Sequence, residues 1–122
     1  MEGKELANFI ARIIKEKKGD DIVIMNVKKL TVLTEYFVVC SSLVEEHSRS
    51  IAEEIGKQLK DSGEKITNID RGTSDSWIAL DCGNVIVHIM TEEKRKFYNL
   101  ERIWQEVEPE LSRKKRSKEN LD

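Results

Sequence analysis

Trp77-Ile78-Ala79-Leu80-Asp81-Cys82-Gly83-Asn84-Val85-Ile86-Val87-His88-Ile89-Met90 reads as two strands joined by a two-residue turn. Gly83-Asn84 suits a type I′ or II′ hairpin turn. That turn fixes the register: Trp77 faces Met90, Ile78 faces Ile89, Ala79 faces His88, Leu80 faces Val87, Asp81 faces Ile86 and Cys82 faces Val85. Directly opposed residues share a face. One face then collects Ile78, Leu80, Cys82, Val85, Val87 and Ile89, all apolar, and is the expected core face. The other collects Trp77, Ala79, Asp81, Ile86, His88 and Met90. A one-residue slip of the turn would exchange the two faces.

Outward from the hairpin, residues 4 to 17 are expected to form a helix, because Leu6, Phe9, Ile10, Ile13 and Ile14 recur at helical spacing and Gly19 stands just past the end. Residues 22 to 27 read as a strand, and Tyr36-Phe37-Val38-Val39-Cys40, a continuous apolar run, as a central strand covered on both faces. Ser42 and Glu45 fit a capping box, with a helix to about Ser62 buried through Ile51, Ala52, Ile55 and Leu59. Gly63 is placed for a left-handed helix end, and Gly56 is read as permitting close approach to the sheet. Residues 64 to 71 read as a strand burying Ile66 and Ile69, and 71 to 76 as a polar loop. A last helix carries Phe97, Leu100, Trp104 and Val107 in one stripe; core packing is the plainer reading for Phe97 and Leu100, while Tyr98 and Trp104 fit a partly exposed rim. This order predicts an α/β fold: one mixed sheet of about five strands flanked by helices. The domain is expected over residues 1–108, with 109–122 a basic, disordered tail after Pro109.

A chain of 122 residues with 39% hydrophobic and 36% charged residues can build one core without staples. The longest apolar runs are strand-length, and the N-terminus lacks signal- or transit-peptide character, so a cytoplasmic protein is expected. The net charge of −2 is unevenly spread. Residues 112 to 122 hold five basic side chains against Glu119 and Asp122, leaving an acidic body. Such a body is unlike a DNA-binding domain and suits a basic protein partner, with RNA contact open to the tail.

The expected chemistry is that of binding. Cys40 and Cys82 fall in strands and are read as free and inert. No Cys/His set has metal spacing, no glycine loop cradles phosphate, and no aspartate is followed two positions on by Asp or Glu, so no cofactor, metal or catalytic residue is expected. Asp81 and His88 are diagonal neighbours able to share a hydrogen bond, but no nucleophile stands beside them and a structural histidine is the plainer reading. His47 lies on a charged stretch and is expected to be exposed, and Lys94-Arg95-Lys96 is read as a solvated helix start. For the mixed hairpin face two readings stand: a docking surface, since Trp and Met are enriched at interface centres, or a face covered by the last helix.

These residues resemble the ribosomal silencing factor (Iojap-like) family over residues 4 to about 104. The matches are Lys18-Gly19-x-Asp21-Ile22, Ser48 with Ile51-Ala52, Trp77-Ile78-x-x-Asp81-x-Gly83-x-Val85-Ile86-Val87-His88-Ile89-Met90, and Tyr98-x-Leu100-Glu101-x-x-Trp104. The resemblance implies a nucleotidyltransferase-like fold without catalytic carboxylates. It implies binding to the large ribosomal subunit through that subunit's ribosomal protein fourteen, a steric block to small-subunit joining, repression of translation, and homodimers of the free protein. Organellar relatives act in ribosome assembly. On that basis Trp77, Met90 and Tyr98 are expected as apolar contacts and Asp81 and His88 as polar ones. A nucleotidyltransferase-like nucleotide-binding enzyme and a large-subunit assembly factor are the alternatives.

Overall fold

In the computed structural model, which describes residues 1–97, the elements run α1 (Gly3–Glu16), β1 (Asp20–Asn26), β2 (Tyr36–Ser42), α2 (Glu45–Asp61), β3 (Asn68–Asp70), β4 (Trp77–Asp81), β5 (Val85–Thr91) and α3 (Glu92–Phe97). The strands form one sheet in the order β1-β2-β5-β4-β3. Among the described residues only β2 and β5 pair in parallel; the other three pairings are antiparallel. The sheet is therefore mixed, as expected. β2 is apolar from Tyr36 to Cys40, which suits a strand bonded on both sides and buried on both faces, and it ends in the buried Ser41 and Ser42.

The hairpin register is the one read from the turn, from Trp77 opposite Met90 to Asp81 opposite Ile86. Gly83 has φ of 85° while Asn84 does not enter the positive region, the type II′ pattern that places glycine first in the turn. The six apolar residues of the inner face join one core with Val38 and Cys40 of β2 and with the buried stripes of α1 and α2. Both helices pack on this face. The outer face carries a smaller buried cluster: Val23, Met25, Val27, Val39 and Met90, with Phe37 and Trp77 against it.

Several local expectations are corrected. Ser42 does not cap α2: parallel pairing with Thr91 extends β2 through it, and its hydroxyl bonds the buried Ser48 hydroxyl. Val44 takes the N-cap position in extended conformation with no side-chain cap, and Glu45 accepts from the Asp75 N–H at 3.3 Å instead. His47 is half-buried rather than exposed. Its Nδ1 accepts from the Leu43 N–H at 3.0 Å, which leaves Nε2–H to donate to the Lys17 carbonyl at 2.7 Å and joins the end of α1 to the start of α2. The strand expected over residues 64–71 shrinks to the three residues of β3; it is an edge strand, and Ile69 is 48% exposed. Gly56 makes no close approach to the sheet, since a Cβ there would meet only Ile66 at 3.5 Å.

α3 begins directly at the end of β5, and Phe97 is 78% exposed, not packed in the core. Arg95, read as part of a solvated basic run, is buried at 7% exposure. Its Nη1 donates to the Asp21 carbonyl and to Ser41 Oγ (2.9 Å), and its Nη2 lies 3.8 Å from the Asp21 carboxylate. Arg95 thus ties α3 to β1 and β2. The residues expected in the rest of the last helix, Tyr98, Leu100, Trp104 and Val107, and the tail 109–122 lie outside the described residues. Among the described residues no helix is long and apolar enough to cross a membrane.

Candidate functional site

The outer face of the β4–β5 hairpin brings together two of the expected residues. Trp77 opens β4, and His88 sits two residues before Met90 on the paired strand, so the two side chains are diagonal neighbours on one face. The Trp77 indole Nε1–H donates to His88 Nδ1 at 3.1 Å. An indole nitrogen is only a donor, so His88 is held as the neutral imidazole with its hydrogen on Nε2. The burial of His88 agrees, lowering its pKa from 6.5 to about 4. The His88 Nε2 is itself buried, and among the described residues nothing pairs with it.

Phe37, from the neighbouring β2, meets the His88 ring edge to face, with centroids 4.8 Å apart. The aromatic unit is thus Phe37–His88–Trp77, half-buried. Phe37 was missed as a site residue because its place beside His88 depends on the parallel pairing of β2 with β5, which sequence spacing does not encode.

The other expected residues are placed differently. Met90 is 0% exposed and lies in the cluster behind Trp77, so it supports the face rather than offering contact area. The Asp81 carboxylate does not bond His88. It accepts the Gly83 N–H at 3.0 Å and so braces the hairpin turn, because an aspartate before a turn glycine reaches the backbone two residues on. Tyr98 lies outside the described residues.

Beside Trp77 the surface drops into a cavity of about 460 Å³ whose floor includes Ala79 and His88 and whose wall is the loop 70–76 and Lys94. Gly72, at φ of 60°, turns that loop, and the Asp70 carboxylate accepts the Gly72 N–H at 3.1 Å. Arg49 bonds Asp75 at 2.8 Å and anchors the loop to α2. Among the described residues no group of three or more His, Cys, Asp or Glu side chains is placed to hold a metal ion. The face offers apolar area, a fixed histidine and hydrogen-bonding groups, which are the means of recognition.

Known proteins of the same shape and pattern exist. A crystal structure of a Chromobacterium violaceum protein superposes with a TM-score of 0.81 at 28% identity, covering 85% of this chain and 87% of that one. The ribosomal silencing factor of Halalkalibacterium halodurans is 28% identical over 104 residues, 85% of this chain and 89% of that protein. The mouse mitochondrial assembly of ribosomal large subunit protein 1 is 25% identical over 100 residues, 80% of this chain and 44% of that protein. The sequence model of the family described as ribosomal silencing factor during starvation matches residues 1–122. The chain belongs to the ribosomal silencing factor family.

Proposed function

We propose that this protein binds the large ribosomal subunit through ribosomal protein fourteen and sterically blocks joining of the small subunit, repressing translation. Membership of the silencing factor family and the name of the mouse relative support the choice of the large subunit. The observation that carries the docking face is the Trp77–His88 hydrogen bond, with Phe37 against the histidine and Met90 buried behind. It presents a large aromatic in one orientation before any partner arrives. Pre-ordering a side chain removes about 0.5–1.5 kcal/mol of the entropy that binding would otherwise cost. Asp81 adds a carboxylate at one end of this face, and Tyr98 a further aromatic contact. Opposite charge between an acidic body and a basic ribosomal protein speeds encounter, and the aromatic anchor sets the lifetime. The chain acts by occupying ground, not by turnover.

Sucrose-gradient sedimentation of ribosomes with the protein tests this. The wild type is expected to travel with large subunits and to deplete joined ribosomes. Trp77→Ala, checked for folding by circular dichroism, should weaken co-sedimentation by about 2 kcal/mol, roughly 30-fold. A folded Trp77→Ala protein that still binds large subunits with wild-type affinity would falsify the assignment of this face. A role in large-subunit assembly is the second reading, favoured by the mouse relative's name. It predicts immature large subunits, rather than unjoined mature ones, when the protein is depleted.

A further inference from the structure

Large apolar side chains left exposed gather at the two ends of β2. Ahead of β2, the connection from β1 holds Leu30, Val32 and Leu33 out to solvent, Val32 with 100% of its surface, and Lys28 and Lys29 stand exposed beside them. Beyond β2, Leu43 and Val44 are exposed and lead into Glu45 and Glu46, exposed in the first turn of α2. The first patch has a fixed shape. The N–H groups of Leu30 and Thr31 both bond the Val27 carbonyl, at 3.0 and 3.2 Å, and the Leu33 N–H bonds Thr31 Oγ1 at 3.1 Å. Exposed apolar residues scattered singly are ordinary, but a pre-formed cluster marks a contact surface. The two patches carry opposite charge. Lys28 is drawn over the Tyr36 ring, 5.2 Å from its centroid, and Glu45 accepts the Asp75 N–H, so Lys29 and Glu46 are the outlying charges. With their neighbours included, Glu35 at one end and Lys17, Lys18, Asp20 and Asp21 at the other, the first end stays net positive and the second net negative.

Between the two ends runs a sheet edge. β1 is terminal in the strand order, and Asp20 at its start lies opposite Ser41 near the end of β2. The Val27 N–H bonds the Glu35 carbonyl, so by the alternation of an antiparallel ladder Ile24 and Asn26 turn their N–H groups away from β2. A strand lying along that side pairs with them. We propose that the partner is a second copy of this chain, joined antiparallel along β1 about Ile24, with residues 30–33 of each copy reaching residues 43–46 of the other. Reversing direction brings the net positive end of one copy to the net negative end of its partner, twice, and closes the pair, as a two-fold interface requires. Apolar contact supplies most of the affinity, and the pairing of Lys29 with Glu46 fixes the orientation, since exposed ion pairs are weak. β4 lies three places from β1 in the sheet, so Trp77 is outside the interface. The dimer is a property of the free protein and is independent of the docking face proposed above.

Sedimentation velocity of the full chain tests this: from about 1 to about 300 μM, an interface of modest size should give dimers in the upper part of the range. Val32 is fully exposed, so Val32→Asp should leave folding intact and weaken association at least about 10-fold. Lys29→Glu and Glu46→Lys should each weaken it. Both in one chain should restore it, because each reversed charge then meets its opposite on the other copy. In the wild-type dimer the Ile24 and Asn26 amides should exchange with deuterium at least about 10-fold more slowly than in Val32→Asp at the same concentration. A monomer throughout the range, dimers indifferent to Val32→Asp and to both reversals, or equal exchange at Ile24 and Asn26 overturns the proposal. So does a folded Val32→Asp protein that no longer co-sediments with large subunits, since the cluster would then belong to a ribosome contact.

Discussion

At the residue scale the chemistry of the face rests on one proton. The Trp77 N–H is donated to His88 Nδ1, which can accept it only while the imidazole is neutral. Burial lowers the His88 pKa from 6.5 to about 4, so between those values the unfolded chain holds a proton that the folded protein refuses. Folding stability therefore falls as pH drops from 6.5 towards 4, and the contribution is fully present only above 6.5. The loss is on the order of 2 kcal/mol after allowing for partial exposure. Urea denaturation at pH 7 and pH 4.5 checks it: His88→Gln should lack the part of the pH dependence that the wild type shows in this window. The two cysteines illustrate the same force with opposite sign. Burial pushes the thiols of Cys40 and Cys82 up to about 12, so both are protonated and unreactive at neutral pH, and both are free.

At the element scale the two-residue turn and the helix ends follow rules that local sequence carries. α2 stops where expected: Gly63 adopts φ of 80°, its N–H bonds the Lys60 carbonyl, and the Glu64 N–H bonds the Leu59 carbonyl at 2.8 Å. These are the paired bonds of a Schellman ending. Inside the same helix Gly56 has ordinary helical conformation and room for a methyl group in contact with Ile66. Gly56→Ala is expected to stabilise the protein by about 0.5–1 kcal/mol, by restricting the unfolded chain and removing the helix penalty of glycine. A rise in the urea midpoint with an unchanged slope is the signature to look for. A fall would mean that Ile66 cannot give way. The capping box at Ser42 and Glu45 failed because the same residues were claimed by a sheet pairing and a loop contact of longer range.

At the scale of the whole molecule, one side chain ties together segments far apart in sequence. Arg95 reaches across from α3 to the Asp21 carbonyl in β1 and the Ser41 hydroxyl in β2. Asp21 has φ of 50°, at an irregularity in the β1–β2 pairing. The arginine bonds the backbone where the ladder is broken. Arg95→Ala removes the partner of the buried Ser41 hydroxyl and the bond to the more exposed Asp21 carbonyl, and should destabilise by about 1–3 kcal/mol, since a charged hydrogen bond is lost and the hydroxyl stays desolvated. Chemical denaturation measures it; a change below about 0.5 kcal/mol, the scale of an ordinary surface substitution, would show that the contacts are dispensable.

The hairpin register, the positions of α1 and α2, the buried central strand and the division of β4–β5 into an apolar and a mixed face were legible in the residues themselves, because they depend on periodicity and on a turn with one good register. The pairing of Trp77 with His88, the edge contact from Phe37, the retreat of Met90 into a second cluster, the Asp81 bond to its own turn and the burial of Arg95 were not. Each is settled by which strand lies next to which, and a parallel neighbour such as β2 beside β5 is joined through a long connection that leaves no local mark. The sequence by itself determined α1, the body of α2, the central strand and the two faces of the hairpin. Only the tertiary structure decided which side chains on the mixed face meet, because a face is a local property of one hairpin and a contact is a property of the whole sheet.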